Sequence, residues 1–205
     1  MRVFPHSGLI SGSSEAALLA RAVAGDASAL DQLYRRESGP VYRYALGVCG
    51  NEAWAADALQ DAFLALLRDP GGFNPDRGSL GAYLCGVARH FVLARLRDKL
   101  HGAAAWDAED DAQWTDDGDA DPEFQMARIQ SLQALHQALA ELPWPQREAV
   151  VLVDLQERDY AQAAAIAGIP VNTLRTRVLR GRRRLQMALA LPPLSPPAKG
   201  TPRRL

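Results

Sequence analysis

Only two cysteines, Cys49 and Cys85, occur in the 205 residues, which excludes a disulfide framework and suits a reducing cytoplasm. No apolar run reaches the roughly 18 residues a membrane-crossing helix needs, so membrane insertion is not expected. The segment Met1 to Ser14 has one arginine, no sustained apolar core and no convincing cleavage site, so it does not read as a secretory signal. His6, His90, His101 and His136 lack close ligand spacing, and no metal site is expected. A Gly-rich phosphate loop, a paired-carboxylate site and a nucleophile motif are all missing, which argues against an enzyme and against a bound cofactor. Alternation of apolar and polar residues, the mark of strands, hardly occurs.

What remains is a soluble, helix-patterned chain with 48% apolar and 23% charged residues, the balance of a folded protein. The net charge of −1 conceals three regions. Residues 1–100 carry 11 basic and ten acidic side chains, residues 101–124 none and nine, and residues 125–205 carry 12 and five. A basic end points to nucleic acid, and an acidic middle to something else.

Helical spacing recurs along the chain. Leu18, Leu19 and Val23 open it, followed by Leu30, Leu33 and Tyr34, then Val41, Tyr44, Ala45 and Val48, then Leu59, Phe63, Leu66 and Leu67. The run Asp69 to Gly78, with two prolines and three glycines, breaks the pattern. Ser79 is placed to cap a long helix with the stripe Leu80, Tyr83, Leu84, Val87 and Phe91. From His101 to Glu123 no period lasts, and the segment reads as a flexible acidic linker. Periodicity resumes with Met126, Ile129, Leu132, Leu135, Leu139 and Leu142, and Pro145 suits the first turn of the next helix. Asp159 with Gln162 has capping-box spacing for a short helix Tyr160 to Ala167, closed by Gly168. The expected architecture is all-α. It has a flexible N-terminus (1–15), an N-terminal helical bundle (16–100), a linker (101–124), a C-terminal helix-turn-helix domain (125–191) and a disordered proline-rich tail (192–205).

Helix, glycine-containing turn, helix is the grammar of a DNA reader. At about 100° per residue, Leu174, Val178, Gly181, Leu185 and Ala188 share one narrow face of the last helix. Arg175, Thr176, Arg177, Arg180, Arg182, Arg183 and Arg184 spread over the rest, with no acid nearby in sequence. Guanidinium groups pair bidentately with phosphates or guanine edges, and the first turn of a recognition helix meets the bases. Asn172, Thr173, Arg175 and Thr176 are therefore expected to read bases. Arg177, Arg180, Arg182, Arg183 and Arg184 are expected mainly at phosphates.

The segment Ala55-Ala56-Asp57-Ala58-Leu59-Gln60-Asp61-Ala62-Phe63-Leu64, with Arg77-Gly78-Ser79 and Tyr83 to His90, resembles the second region of bacterial extracytoplasmic-function (ECF) sigma factors of the sigma-70 family. Leu142-Pro143, Arg147, Tyr160 and Thr173 to Arg177 resemble the fourth region. The resemblance spans residues 16–100 and 132–190. It implies that Asp57, Gln60, Asp61 and Phe63 dock on core RNA polymerase, through its beta-prime subunit, with the beta subunit as a further partner. It implies that Phe73, Asn74, Arg77, Ser79, Tyr83, Arg89, His90, Arg95, Arg97 and Lys99 serve the minus-ten element of promoter DNA. There, unstacking a base requires a pocket and cations. The helix-turn-helix then reads the minus-thirty-five element. Tyr83, His90, Ala94 and Asn172 stand where the family usually has Trp, Asn, Asp and Gly. An anti-sigma partner and a role in a stress or envelope response are further implications. The alternative is a helix-turn-helix regulator whose N-terminal domain binds a ligand or dimerises. The linker reads equally as a tether or as a nucleic-acid mimic inside polymerase.

Overall fold

The structure, a computed structural model, describes residues 11–101 and 122–189. Among these residues every regular element is helical. The first group is α1 (Ser11–Val23), α2 (Ala27–Cys49), α3 (Glu52–Arg68) and α4 (Leu80–His101), with 3-10 turns at Pro70–Gly72 and Pro75–Arg77 before α4. The second is α5 (Pro122–Ala140), α6 (Trp144–Val150), α7 (Tyr160–Ala167) and α8 (Val171–Ala188), and α6 widens into a π-helical turn over Val151–Leu155. At the edges of the span read as linker, His101 closes α4 and Pro122 opens α5. The remainder of that span lies outside the described residues, as do 1–10 and the tail.

Local chemistry sets the helix boundaries. Asp26 accepts hydrogen bonds from the Ser28 and Ala29 amides to start α2, and Asn51 accepts from Trp54 to start α3, each satisfying amides that a helix leaves open. The start of α4 is held twice. Ser79 Oγ accepts from the Ala82 amide at 3.3 Å, and Glu15, reaching from α1, accepts from the Leu80 amide at 2.8 Å. Buried Glu15 is in turn paired with Arg36 at 3.1 Å. Asp159 caps α7 through the Gln162 amide, as the spacing predicted.

The core of the first group is Leu33, Val41, Tyr44 and Val48 of α2, Leu59, Phe63 and Leu66 of α3, and Leu80, Leu84, Ala88 and Val92 of α4. On α4 the buried row runs 80-84-88-92, and Tyr83, Val87 and Phe91 sit at its rim. The expected stripe is thus rotated toward smaller side chains, because α4 lies close against both α2 and α3. Val23, Tyr34, Met126 and Ile129, expected in apolar stripes, are exposed.

The two helical groups are packed against one another. One continuous apolar cluster joins the bundle core to Ala149, Val151 and Leu152, to four residues of α7 from Ala163 to Ala167, and to Leu174 and Val178 of α8. Gly47 permits this, since a Cβ there would stand 3.1 Å from Val151 Cγ1. Val151 and Leu152 are fully buried, and burial of such side chains contributes about 1.5–3 kcal/mol each.

Candidate nucleic-acid interface

On α3, Ala55, Ala58, Leu59, Ala62, Phe63 and Leu66 face the core. Asp57, Gln60, Asp61 and Leu64 follow i, i+3, i+4, i+7 spacing on the opposite face, with Gln60 and Leu64 exposed and the two aspartates partly so. Phe63 is buried and tilted against Tyr34 at 5.0 Å between ring centroids. This corrects its placement among contact residues. The ring that reaches the surface beside it is Tyr34, 47% exposed, and the apolar residue within the polar stripe is Leu64, 38% exposed. Sequence periodicity could have flagged Leu64, because it continues the 57-60-61 row. Asp57 is paired with Arg95 at 2.6 Å, and that guanidinium lies 6.0 Å from the Trp54 ring centroid. A residue expected at polymerase and one expected at DNA therefore meet. With both side chains about half exposed, such a pair is weak and free to exchange.

The residues expected at the minus-ten element do not all line one surface. Phe73 is buried, tilted against Tyr83 at 5.8 Å, so it supports the loop rather than presenting a ring. This corrects its placement. Tyr83 is half-buried, and burial raises its phenol above the ordinary range. Gly72 makes room for it, since a Cβ there would lie 2.7 Å from the Tyr83 hydroxyl. Asn74 accepts from the Asp76 amide at 2.9 Å and shapes the second 3-10 turn. Arg77 and His90 are exposed, and so is Arg97, which has a partner within the chain. Lys99 lies on α4, but its side chain is outside the described ones. Arg89 turns inward to the carboxylate of Glu148, with Nε to Oε1 at 2.5 Å, and only 18% of its side chain is exposed.

The helix-turn-helix forms as its sequence signals. Gly168 closes α7 at φ 66, a conformation that costs a residue with a Cβ. The Ile169 amide donates to the Ala164 carbonyl and the Gly168 amide to that of Ala165, at 3.1 and 3.2 Å. That is a Schellman closure. Across the turn, α8 buries Leu174, Val178 and Gly181. Asn172, Thr173, Arg175, Thr176, Arg180, Arg183 and Arg184 are exposed, and Arg177 is partly so. Arg175 lies 5.7 Å from the Tyr160 ring centroid, with Nη1 3.5 Å from Asn172 Oδ1. Thr176 Oγ1 donates to the Asn172 carbonyl at 3.0 Å.

Arg182 differs from the other arginines of α8. It forms a bidentate pair with Asp154 of the π-helical turn, at 3.0 and 2.5 Å, and the bonded carboxylate holds its guanidinium above the ordinary range. The absence of a nearby acid, read along the sequence, fails here because Asp154 arrives through the fold. Arg182 braces α8 to the end of α6 and is not a free phosphate ligand in this arrangement.

Sequence reasoning missed the polar cluster between the helical groups. Glu148 is 1% exposed and accepts from the Tyr44 hydroxyl at 3.0 Å as well as from Arg89. Burial, and then the adjacent carboxylate, raise the Tyr44 phenol well above its usual range. Arg147 donates to the Val48 carbonyl of α2 and to the Leu142 and Ala140 carbonyls of its own group. The only signal in the sequence was an acid set directly before the apolar stretch Ala149 to Val153.

Among the described residues no group of three metal-ligating side chains converges, and no helix is long and apolar enough to cross a membrane. The Sigma-70 region 2 family matches residues 33–101, and the Sigma-70, region 4 family matches residues 132–185. The ECF RNA polymerase sigma factor SigM of Mycobacterium tuberculosis is 36% identical over 177 residues, covering 86% of this chain and 85% of that protein. The ECF sigma factor SigC of the same species is 30% identical over 167 residues, covering 81% and 86%. The solved structure of the sigma factor RpoE of Bartonella quintana, in complex with the anti-sigma factor NepR, matches with a TM-score of 0.65 at 24% identity. It covers 78% of this chain and 96% of that one, and supports the fold. Two region matches in the expected order, with relatives matched across both regions and about 85% of their own length, settle against a free-standing regulator. The chain belongs to the sigma-70 family as an ECF sigma factor, a transcription initiation factor that binds RNA polymerase and directs it to promoter DNA.

Proposed function

We propose the following division of labour for this sigma factor. Gln60, Asp61 and Asp57 of α3, with Leu64 and Tyr34 alongside, dock on core polymerase through its beta-prime subunit. The loop Asn74 to Ser79 and the outer face of α4, with Arg77, Tyr83, His90, Arg95 and Arg97, engage the minus-ten element as it opens. Asn172, Thr173, Arg175 and Thr176 read the minus-thirty-five duplex in the major groove, and Arg177, Arg180, Arg183 and Arg184 hold its phosphates. The factor contributes binding and strand capture, and polymerase performs the chemistry. It works in the cytoplasm, under an anti-sigma partner, in a stress or envelope response.

The observation that carries this reading is α8 itself. One stripe, Leu174, Val178 and Gly181, is buried, while four arginines of its remaining surface are open to solvent. Run-off transcription with purified core polymerase, on a promoter taken from upstream of the protein's own gene, tests it. The expected result is a discrete transcript that needs the factor and is lost with Arg175→Ala combined with Thr176→Ala. A transcript unaffected by that double change would remove α8 from promoter reading.

A further inference from the structure

The Arg89–Glu148–Tyr44 cluster is unusual for where its charges come from. Glu148 belongs to α6, in the group matched by region 4, whereas Arg89 and Tyr44 belong to α4 and α2, in the group matched by region 2. Glu148 is almost wholly buried, and the hydrogen bonds to its carboxylate all come from the other group. A buried carboxylate without a cation is strongly disfavoured, and here the cation comes from the other group. Arg158 crosses in the opposite direction. Its guanidinium lies 3.4 Å from the position of a Cβ on Gly81, which the Glu37 carboxylate also approaches.

Two features mark this as a junction made to open. A buried ion pair gains little net free energy, because desolvation of both ions offsets most of the attraction. Three buried polar atoms of α6, Trp144 Nε1, Gln146 Oε1 and Arg147 Nε, have no hydrogen-bond partner among the described residues, and each such atom weakens the closed packing. Geometry gives the reason for opening. Elements centred at minus ten and minus thirty-five lie about 25 base pairs apart, or about 85 Å at 3.4 Å per base pair. Groups in contact through a 2.5 Å ion pair cannot lie on both.

We propose that Arg89 and Tyr44 form an anion site on the region 2 surface, for which the Glu148 carboxylate and a promoter backbone phosphate compete. The arrangement described here is then a self-masked state of the factor. The inference rests on the promoter-binding reading above and adds to it a specific competitor and a specific site. A guanidinium accepts a carboxylate or a phosphate through the same paired N–H geometry, and the Tyr44 hydroxyl donates to either. Glu148 occupies the site when the groups are together. Phosphate takes it when polymerase and DNA hold them apart, and Glu148, once exposed, is hydrated.

The test uses the full chain with Glu148→Gln, Arg89→Gln and the double variant. Domain separation is read by energy transfer between fluorophores at Ala53→Cys and Gln137→Cys, both exposed positions. Anion-site occupancy is read by fluorescence anisotropy with a 20-nucleotide oligothymidylate at low and moderate salt. Both single variants should separate the groups. Glu148→Gln should bind oligothymidylate about tenfold more tightly, as a mostly closed population is released. Arg89→Gln and the double variant should show no such gain. Energy transfer and affinity unchanged in Glu148→Gln would overturn the proposal, and so would an equal affinity gain in the double variant. If Glu148→Gln fails to fold by circular dichroism, Tyr44→Phe and Arg89→Gln carry the test. Separation in both supports the latch, and a closed state in both overturns it. Failure of run-off transcription by the unaltered protein would strike the promoter assignment while leaving the separation measurement intact.

Discussion

Gly181 lies in the middle of α8, where helix propensity alone favours alanine by about 1 kcal/mol. The tertiary structure reverses that preference. A Cβ at Gly181 would stand 2.6 Å from Val150 Cγ2 and 3.1 Å from the Gln146 carbonyl oxygen, against an ordinary contact of about 3.5–4.0 Å between carbons. Val150 is β-branched and stiff about χ1, and the Gln146 oxygen belongs to the backbone of α6, so neither gives easily. Relief requires α8 to move away from α6 by roughly 1 Å. Overpacking of this kind costs about 1–3 kcal/mol, and a backbone obstacle places it in the upper half of that range. After the propensity gain, Gly181→Ala is expected to destabilise by about 1–2 kcal/mol, lowering Tm by roughly 2–8 °C for a chain of this size. Gly86, in α4, is the control, because a Cβ there would meet nothing within 4 Å. Gly86→Ala should stabilise by about 0.5–1 kcal/mol. Urea and thermal unfolding of both variants, with duplex binding to follow the displaced helix, decide the matter. A Gly181→Ala protein as stable as the parent would refute the close-approach argument.

Four further outcomes are expected. Arg175→Ala should cost about 1–3 kcal/mol at the upstream element and relax preference at one or two base pairs, whereas Arg183→Ala should weaken all sequences alike and reduce the salt slope by about one; titrations across salt and single-base variants separate them. Asp61→Arg with Gln60→Ala should lose core polymerase in a pull-down while circular dichroism stays unchanged, and full retention would remove α3 from docking. The Asp26 carboxyl is held well below its ordinary range by hydrogen bonds from Ser28 and Arg21. Its contribution is present above the unfolded carboxylate pKa and lost as pH falls through the lower folded value. Asp26→Ala should thus be less stable than the parent at neutral pH, with the gap closing below about pH 4, as acid titrations would show. Burial raises the Cys49 thiol and pushes that of Cys85 up to about 11, so neither should react with a thiol reagent at mild alkaline pH until the protein unfolds, and rapid modification of the native protein would contradict this.

The sequence by itself determined the helical class, the break between α3 and α4, the cap at Asp159, the turn at Gly168 and the first part of the buried stripe of α8, Leu174 to Gly181, whereas Ala188, expected to continue it, is exposed. Each of these is a local matter, settled by spacing of about 3.6 residues, by side chains that reach an amide two or three residues away, or by a glycine's freedom at positive φ. The outward-facing row Asp57, Gln60 and Asp61 was legible for the same reason. Only the tertiary structure decided that Phe73 is buried, because a ring in a loop takes its exposure from the neighbour laid over it. Only the fold brought Asp154 to Arg182, 28 residues on, and joined Tyr44, Arg89 and Glu148 in one buried cluster. Coulomb attraction and burial depend on distance in space, and no periodicity along the chain carries that distance.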